Sequence, residues 1–202
     1  MRVQSRNLYQ LDELSDKAKA VARDWWRYGR ANDYDNVWAD AVIDDACTVA
    51  PMLGIAMEKA NITWALDVQG AGASFTGTWD GSKVNIAALT DYCGGDDAET
   101  LSAIANTLSQ YATLTANITP QGNTRGYCHE YTVYIEVHDV AGDEVDADSR
   151  AYIDVRDALH NFMRWIHTKL DQEWAYQNSD EGVDAAINAN EYEFIEDGRR
   201  AQ

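Results

Sequence analysis

The chain has 202 residues, of which 46% are hydrophobic and 10% aromatic, so it can bury a substantial core and is not a disordered chain. It carries 34 acidic and 16 basic residues, a formal net charge of −18. Direct binding to DNA, RNA or anionic lipid relies on lysine and arginine at phosphates, so this balance argues against those functions. A strongly acidic protein is attracted instead to basic surfaces, such as the nucleic-acid grooves of other proteins.

The sequence predicts a soluble, intracellular protein. The first ten residues contain no apolar stretch of the signal-peptide type, and no later run approaches the ~18 apolar residues of a membrane span. Cys47, Cys93 and Cys128 are widely spaced and form no CxxC pair, which indicates reduced thiols in a cytoplasmic protein. No linker rich in proline, serine or glycine divides the chain, so a single domain over residues 1–202 is expected.

Two helices are predicted first. Ser15 is a good N-cap, and apolar residues then recur at spacings of three and four up to Gly29. A second helix is predicted from about Asp35 to Leu53, with a kink or break near Ala50 because Pro51 cannot continue it.

The hydrophobic period changes to two in the middle of the chain, which predicts strands. The glycine-rich turn Gln69–Gly72 is expected to join two of them as a hairpin. The clearest strand is expected to begin at His129, on one face with Tyr131, Val133, Ile135 and Val137. The other expected elements are strands over Ile62–Val68, around Phe75 and Trp79, over Val84–Ile86 and from Leu114 to Pro120, and a helix over Ala98–Leu108.

The longest helix is predicted from about Ser149 to Tyr176, with an apolar stripe up to Trp174 that packs on the sheet. A short helix capped by Ser179 follows. The fold class predicted is therefore α+β, with a central antiparallel sheet flanked by N-terminal helices and a long C-terminal helix.

Neither a metal site nor a cofactor is predicted. His160, Arg164, His167 and Asp171 share one stripe of the long helix, but Arg164 would repel a cation, so a solvated polar stripe is expected. His129 is expected to be a buried, hydrogen-bonded histidine on its strand. No GxSxG or GxxxxGK[ST] motif is present, and the turn at Gly70–Gly72 joins two strands without opening a helix.

Carboxylates cluster in three parts of the chain. The clusters are Asp33, Asp35, Asp40, Asp44 and Asp45; then Asp91, Asp96, Asp97 and Glu99; then Asp139, Asp143, Glu144, Asp146, Asp148, Asp154 and Asp157. Acids one helical turn apart stand about 5–6 Å from each other, close to the spacing of phosphates along a nucleic-acid strand. The candidate partner-binding residues are Asp40, Asp44, Asp146, Asp148, Asp154 and Asp157.

A solvating surface, or adaptation to high salt, is the alternative explanation of these charges. Aspartate outnumbers glutamate by 23 to 11, and only 5 of the 16 basic residues are lysine.

Several segments resemble an uncharacterised family of phage and prophage proteins, sometimes labelled as the antitoxin of a toxin–antitoxin stability system. The matching stretches are ELSDKAKAVARDWW (Glu13–Trp26), LGI (Leu53–Ile55), GASFTG (Gly72–Gly77), HEY (His129–Tyr131), FMRWIHTKLDQEWAYQNSDEGVD (Phe162–Asp184) and NANEYEFIEDGRR (Asn188–Arg200). The family usually has an aspartate where this chain has Ala71. The resemblance implies a mobile-element protein of the host cytoplasm and assigns no catalytic residue.

The charge and the resemblance together favour a non-enzymatic inhibitor of a host defence system, anti-CRISPR or anti-restriction, that imitates nucleic acid. Its partner would be a host protein with a basic nucleic-acid-binding groove, and each carboxylate would pair with a Lys or Arg that otherwise holds a phosphate. An antitoxin that neutralises a basic toxin is the first alternative. The second is an enzyme with an unrecognised site that uses His129, Glu130 or His160.

Overall fold

The computed structural model describes residues 7–29, 37–122 and 124–201, and the chain divides into two compact units. The first unit comprises Met1–Ala39 and Gln172–Gln202, and the second comprises Asp40–Asp171. The single domain expected from the sequence stays a prediction. The start predicted for the second helix lies outside the described residues, as do Asp33 and Asp35.

The regular elements follow one another along the chain. The helices are α1 (Asp16–Gly29), α2 (Val37–Val49), α3 (Ile86–Tyr92), α4 (Asp96–Ser109), α5 (Arg150–Asn178) and α6 (Asp180–Ala189). The strands are β1 (Leu53–Ala56), β2 (Ile62–Ala65), β3 (Gly72–Phe75), β4 (Gly77–Val84), β5 (Thr115–Pro120) and β6 (Val133–His138). No helix in the described ranges combines the length and apolar character needed to cross a membrane.

The α+β class is confirmed. Strands β1, β4, β5 and β6 form an antiparallel sheet in the order β1-β4-β5-β6, and β2 and β3 form a separate antiparallel hairpin around the predicted turn. In chain order, α1 and α2 precede the strands and the long helix α5 follows them.

Strand β6 lies at an edge of the four-stranded sheet, and its outer carbonyls are covered. The Tyr152 hydroxyl donates to the Ile135 carbonyl at 3.1 Å, and the Val145 N–H donates to the Val137 carbonyl at 2.8 Å. These bonds occupy acceptors that another chain could otherwise pair with. The edge is therefore closed by the segment that leads from β6 into α5.

The core of the second unit is formed by the sheet, the hairpin and the first five turns or so of α5. Phe162 on α5 is fully buried, with its ring 5.8 Å from that of Phe75 and stacked at 5.6 Å on that of Trp165. Trp79 is also buried, and its indole N–H donates to the Leu53 carbonyl at 3.0 Å, which ties β4 to β1. Buried aromatic side chains of this size contribute strongly to stability.

The first unit has its own apolar cluster, shared by α1, α6 and the segment around Phe194. Its buried members are Leu11, Leu14, Ala18, Ala22, Trp26, Val183, Ile187 and Phe194. Arg23 on α1 pairs with both carboxylate oxygens of Asp184 on α6 at 2.6 Å. The predicted N-caps are confirmed: Ser15 Oγ accepts from the Ala18 N–H, and Ser179 Oγ accepts from the Gly182 N–H. Trp174, predicted on the sheet-packing stripe, is 38% exposed and lies beside Trp38, 5.5 Å away.

Two predictions in the middle of the chain are wrong. Pro51 ends α2 as expected, but the chain makes a 3-10 turn over Ala50–Met52 and Leu53 then starts β1 instead of ending a helix. The weak strand predicted at Val84–Ile86 does not form: Val84 is the last residue of β4, and the Asn85 side chain accepts from the Ala88 N–H and caps α3, which begins at Ile86.

The strand predicted from His129 begins only at Val133. The Nδ1 of His129 accepts the Tyr131 N–H at 3.2 Å, and this cap starts a 3-10 turn over Glu130–Thr132. The alternating pattern is thus interrupted by a local side-chain bond, and Tyr131 is 60% exposed.

Candidate functional site

The excess of acidic residues is concentrated in the second unit. Residues 40–171 contain 20 of the 34 acidic and 7 of the 16 basic residues, a net charge of −13 out of −18. The field that would attract a basic partner therefore comes mainly from this unit.

We call residues 139–148, between β6 and α5, the acidic loop. It has five carboxylates and no basic residue, and its acids are Asp139, Asp143, Glu144, Asp146 and Asp148. Asp139 is half-buried and the other four are exposed. None of the five forms an ion pair with any basic residue in the described ranges.

The acidic loop is held in place by hydrogen bonds to its own backbone. Asp139 Oδ1 accepts the N–H groups of Ala141 and Asp143 at 2.8 and 3.0 Å, and Asp146 Oδ1 accepts the Asp148 N–H at 3.0 Å. Such local bonds order a turn while leaving the other carboxylate oxygen open to solvent. The loop therefore presents ordered negative charge with no internal counterion.

The predicted pair Asp40 and Asp44 lies one turn apart on α2, but it shares a cation. Lys59 Nζ is 3.1 Å from Asp40 Oδ1 and 2.9 Å from Asp44 Oδ1. Hydrogen bonds to Asp44 and then to Asp40 raise the pKa of Lys59. One of the two negative charges is thus compensated inside the molecule.

The two predicted acids on α5 are also paired. Asp154 is only 18% exposed and accepts from the Tyr111 hydroxyl at 2.6 Å and from Arg150 Nε at 2.9 Å. These bonds, led by that of Tyr111, lower the pKa of Asp154. Asp157 accepts from Arg156 on the same helix at 2.8 Å. Of the six predicted residues, only Asp146 and Asp148 are exposed with no ionic partner among the described residues.

A polar and aromatic cluster fixes the 130–132 turn on α5. Arg164 Nε donates to Glu130 Oε1 at 2.7 Å, its Nη2 donates to the Tyr131 hydroxyl at 3.0 Å, and its Nη1 donates to Asn161 Oδ1 at 2.7 Å. Burial raises the pKa of Glu130, but hydrogen bonds from its own backbone N–H and from Arg164 outweigh burial and lower it.

His160 corrects the expectation of a solvated stripe on α5. Its side chain is buried against Tyr131, with the two ring centres 5.1 Å apart. Burial, with a smaller contribution from the charge of Arg164, lowers the pKa of His160 to about 4 despite the opposing charge of Glu130. The Nε2 of His167 is also buried and has no hydrogen-bond partner among the described residues. The histidines of the stripe therefore face the protein, and Arg164 reaches Glu130.

Sequence reasoning missed the contact between Glu130 and Arg164, which lie 34 residues apart. The sequence offered one chemical indication of this ion pair: a glutamate follows His129, and an arginine of opposite charge lies between His160 and His167. The side chains of His129 and His160 form no hydrogen bond with a described serine, threonine or cysteine side chain. The Thr132 hydroxyl donates instead to the main-chain carbonyl of His129. In the described part of the chain, no group of three or more His, Cys, Asp or Glu side chains is arranged to hold a metal ion.

Comparison with protein families places most of the chain in a family. The model of a domain of unknown function, DUF8835, matches residues 38–180, which is more than two thirds of the chain. The chain belongs to the DUF8835 family. No curated protein and no solved structure matches it. The matched range includes the acidic loop and the Glu130–Arg164 contact.

Proposed function

We propose that this DUF8835 protein acts by binding another protein, as an inhibitor that occupies the basic, nucleic-acid-binding groove of a host defence complex. The acidic loop is the observation that carries the proposal, because it combines five carboxylates, two of them hydrogen-bonded to the backbone of the loop, with no internal counterion. A Lys or Arg of the partner can pair with these carboxylates without first displacing a basic residue of this chain.

The other predicted acids have a different part in this proposal. Asp40, Asp44 and Asp157 are exposed but paired, so they extend the negative field and supply less free binding capacity. Asp154 is engaged on two sides and holds α5 in place. The phage origin, the host cytoplasm and the defence complex rest on the sequence resemblance, and the loop supports only the charge of the partner.

The experiment compares three tagged proteins in a pull-down from the cytoplasm of the host at low salt, followed by elution with high salt and mass spectrometry. The first is the wild type. The second, the loop-neutralised variant, carries Asp143→Asn, Glu144→Gln, Asp146→Asn and Asp148→Asn, which keep the acceptor oxygen of Asp146. The control removes four charges elsewhere in the second unit, with Glu58→Gln, Glu99→Gln, Glu136→Gln and Asp171→Asn, all exposed positions.

We expect the wild type and the control to retain a nucleic-acid-binding complex that salt releases, and the loop-neutralised variant to lose it. Equal retention by all three proteins, or retention that high salt does not change, would contradict the proposal. Recovery of one small basic protein in place of a complex would favour the antitoxin alternative.

A further inference from the structure

A small cavity lies where four helices of the second unit come together. Asp45 on α2, Tyr92 on α3, Asp97 on α4 and Trp165 on α5 line it, and its volume is about 220 Å³. Pockets for cofactors and drug-sized ligands usually have ~300–1,000 Å³. This cavity is therefore suited to a group the size of one side chain.

The polar groups that line the cavity are mostly carboxylates. Asp97 accepts from the Trp165 indole N–H at 3.0 Å and from Lys169 Nζ at 2.9 Å, so its charge is compensated. Asp45 accepts only from the Tyr92 hydroxyl, and it has no cationic partner among the described residues. The cavity thus has one half-buried carboxylate that has no counterion among the described residues and whose second oxygen accepts no hydrogen bond from them.

The neighbouring thiol reports the sign of the local field. Burial raises the pKa of Cys93, and the charges of Asp45 and Asp97 raise it further. The N-terminus of α4 is positive, but Asp97 in its first turn opposes that charge. The cavity therefore favours a cation. A metal ion does not fit. Asp45, Cys93 and Asp97 line the cavity, but no three such side chains among the described residues are arranged to hold a metal ion.

The aromatic walls narrow the kind of cation. Tyr92, which is 45% exposed, and Trp165, which is almost fully buried, both line the cavity, so it offers aromatic rings beside its carboxylates. A guanidinium is planar, weakly hydrated and able to stack on an aromatic ring while its N–H groups reach a carboxylate. An ammonium group is more strongly hydrated and lacks the flat face.

We propose that this cavity binds the guanidinium group of an arginine side chain from the basic partner, with Asp45 as its counterion and Tyr92 as its stacking ring. This inference rests on the proposed function for the source of the arginine. It adds one specific anchor to an otherwise diffuse electrostatic attraction, as buried arginine anchors do in other interfaces.

The test is a titration followed by NMR, with the Trp165 indole N–H as the reporter, assigned by its loss in Trp165→Phe. The probe is N-acetyl-arginine methylamide, and the control ligand is N-acetyl-citrulline methylamide, which has the same shape and no charge. The variant is Asp45→Asn, which keeps the acceptor for Tyr92. Its matched control is Asp91→Asn, an exposed acid on α3 that makes the same change in net charge outside the cavity.

We expect a saturable shift with the arginine derivative, and binding at least tenfold weaker for the citrulline derivative and for Asp45→Asn, because each removes one of the two opposite charges of the guanidinium–carboxylate pair. Asp91→Asn should stay within twofold of the wild type. No saturable shift, equal binding of citrulline, or equal weakening by the two asparagine variants would overturn the proposal. Tighter binding of free L-arginine than of the blocked derivative would assign the cavity to a metabolite and overturn the partner's role.

These results are separable from the proposed function, because the acidic loop contributes no residue to the cavity. A failed titration together with a partner that the loop-neutralised variant does not retain would remove the arginine anchor and leave the proposed function standing. A successful titration without any captured partner would support the arginine-binding cavity and contradict the proposed function.

Discussion

Burial of His160 makes the stability of the fold sensitive to acid. The pKa of His160 is lowered from 6.5 to about 4, mainly because its side chain is only 5% exposed. Between these two values the unfolded chain binds a proton that the folded chain does not, so the free energy of unfolding falls as the pH falls from about 6.5 to about 4. At about 1.4 kcal/mol per pKa unit, the loss is about 3 kcal/mol.

Substitution His160→Gln removes this titration. Urea denaturation of both proteins at pH 7.5, 6.5, 5.5 and 4.5 gives the free energy of unfolding of each, and carboxylates common to both largely cancel in the difference. We expect the difference between wild type and variant to move by about 2.5 kcal/mol against the wild type between pH 7.5 and pH 4.5, because pH 4.5 still lies above the pKa of the folded state. A difference that stays constant with pH would refute the buried, neutral state of His160.

Three further variants, measured by urea denaturation, test an ion pair, a core side chain and a close backbone approach in the second unit. Arg164→Gln should cost about 2 kcal/mol at pH 7, less than for a fully buried pair because Arg164 is 45% exposed. The pKa of Glu130 is lowered from 4.5 in the folded wild type, so its ion pair with Arg164 stabilises the fold fully above pH 4.5 and less as the pH falls further. The cost of Arg164→Gln should therefore shrink below pH 4.5, and a cost independent of pH would contradict this. Phe162→Ala should cost about 3–5 kcal/mol, and a loss below about 1 kcal/mol would contradict its place in the core. Gly72→Ala should cost at least about 2 kcal/mol, because the new Cβ would lie 2.4 Å from the His129 Cα; a neutral result would refute that close approach.

Features that depend on neighbouring residues could be predicted from the sequence. The residues around Ser15 and Ser179 predict both N-caps, and Pro51 predicts the end of α2 shortly before it. The apolar spacing predicts the length of α5, and the structure has all of these features. Helix α3 was missed because its seven residues are too few for a clear period of 3.6, and the cap from Asn85 decides between helix and strand.

The candidate site could be predicted only as a distribution of charge. That Asp154 is engaged by Tyr111 depends on two residues 43 positions apart, and the spacing of acids along the chain contains no information about such partners. The cavity at Asp45 requires four helices to converge, and Trp165 lies 120 positions away in the sequence. The sequence therefore predicted the acidic loop, because its carboxylates are consecutive in the chain. It could not distinguish carboxylates that are paired in the fold from those that are not.

The most direct test of the proposed function is displacement of nucleic acid from the captured partner. A fluorescently labelled nucleic acid is bound to the purified partner, and anisotropy is followed while wild type, loop-neutralised variant or control variant is added. We predict that the wild type and the control displace the labelled strand at low salt and that the loop-neutralised variant is at least tenfold weaker. A labelled strand that stays bound at saturating wild-type protein, or that all three proteins displace equally, would contradict binding through the acidic loop in place of nucleic acid.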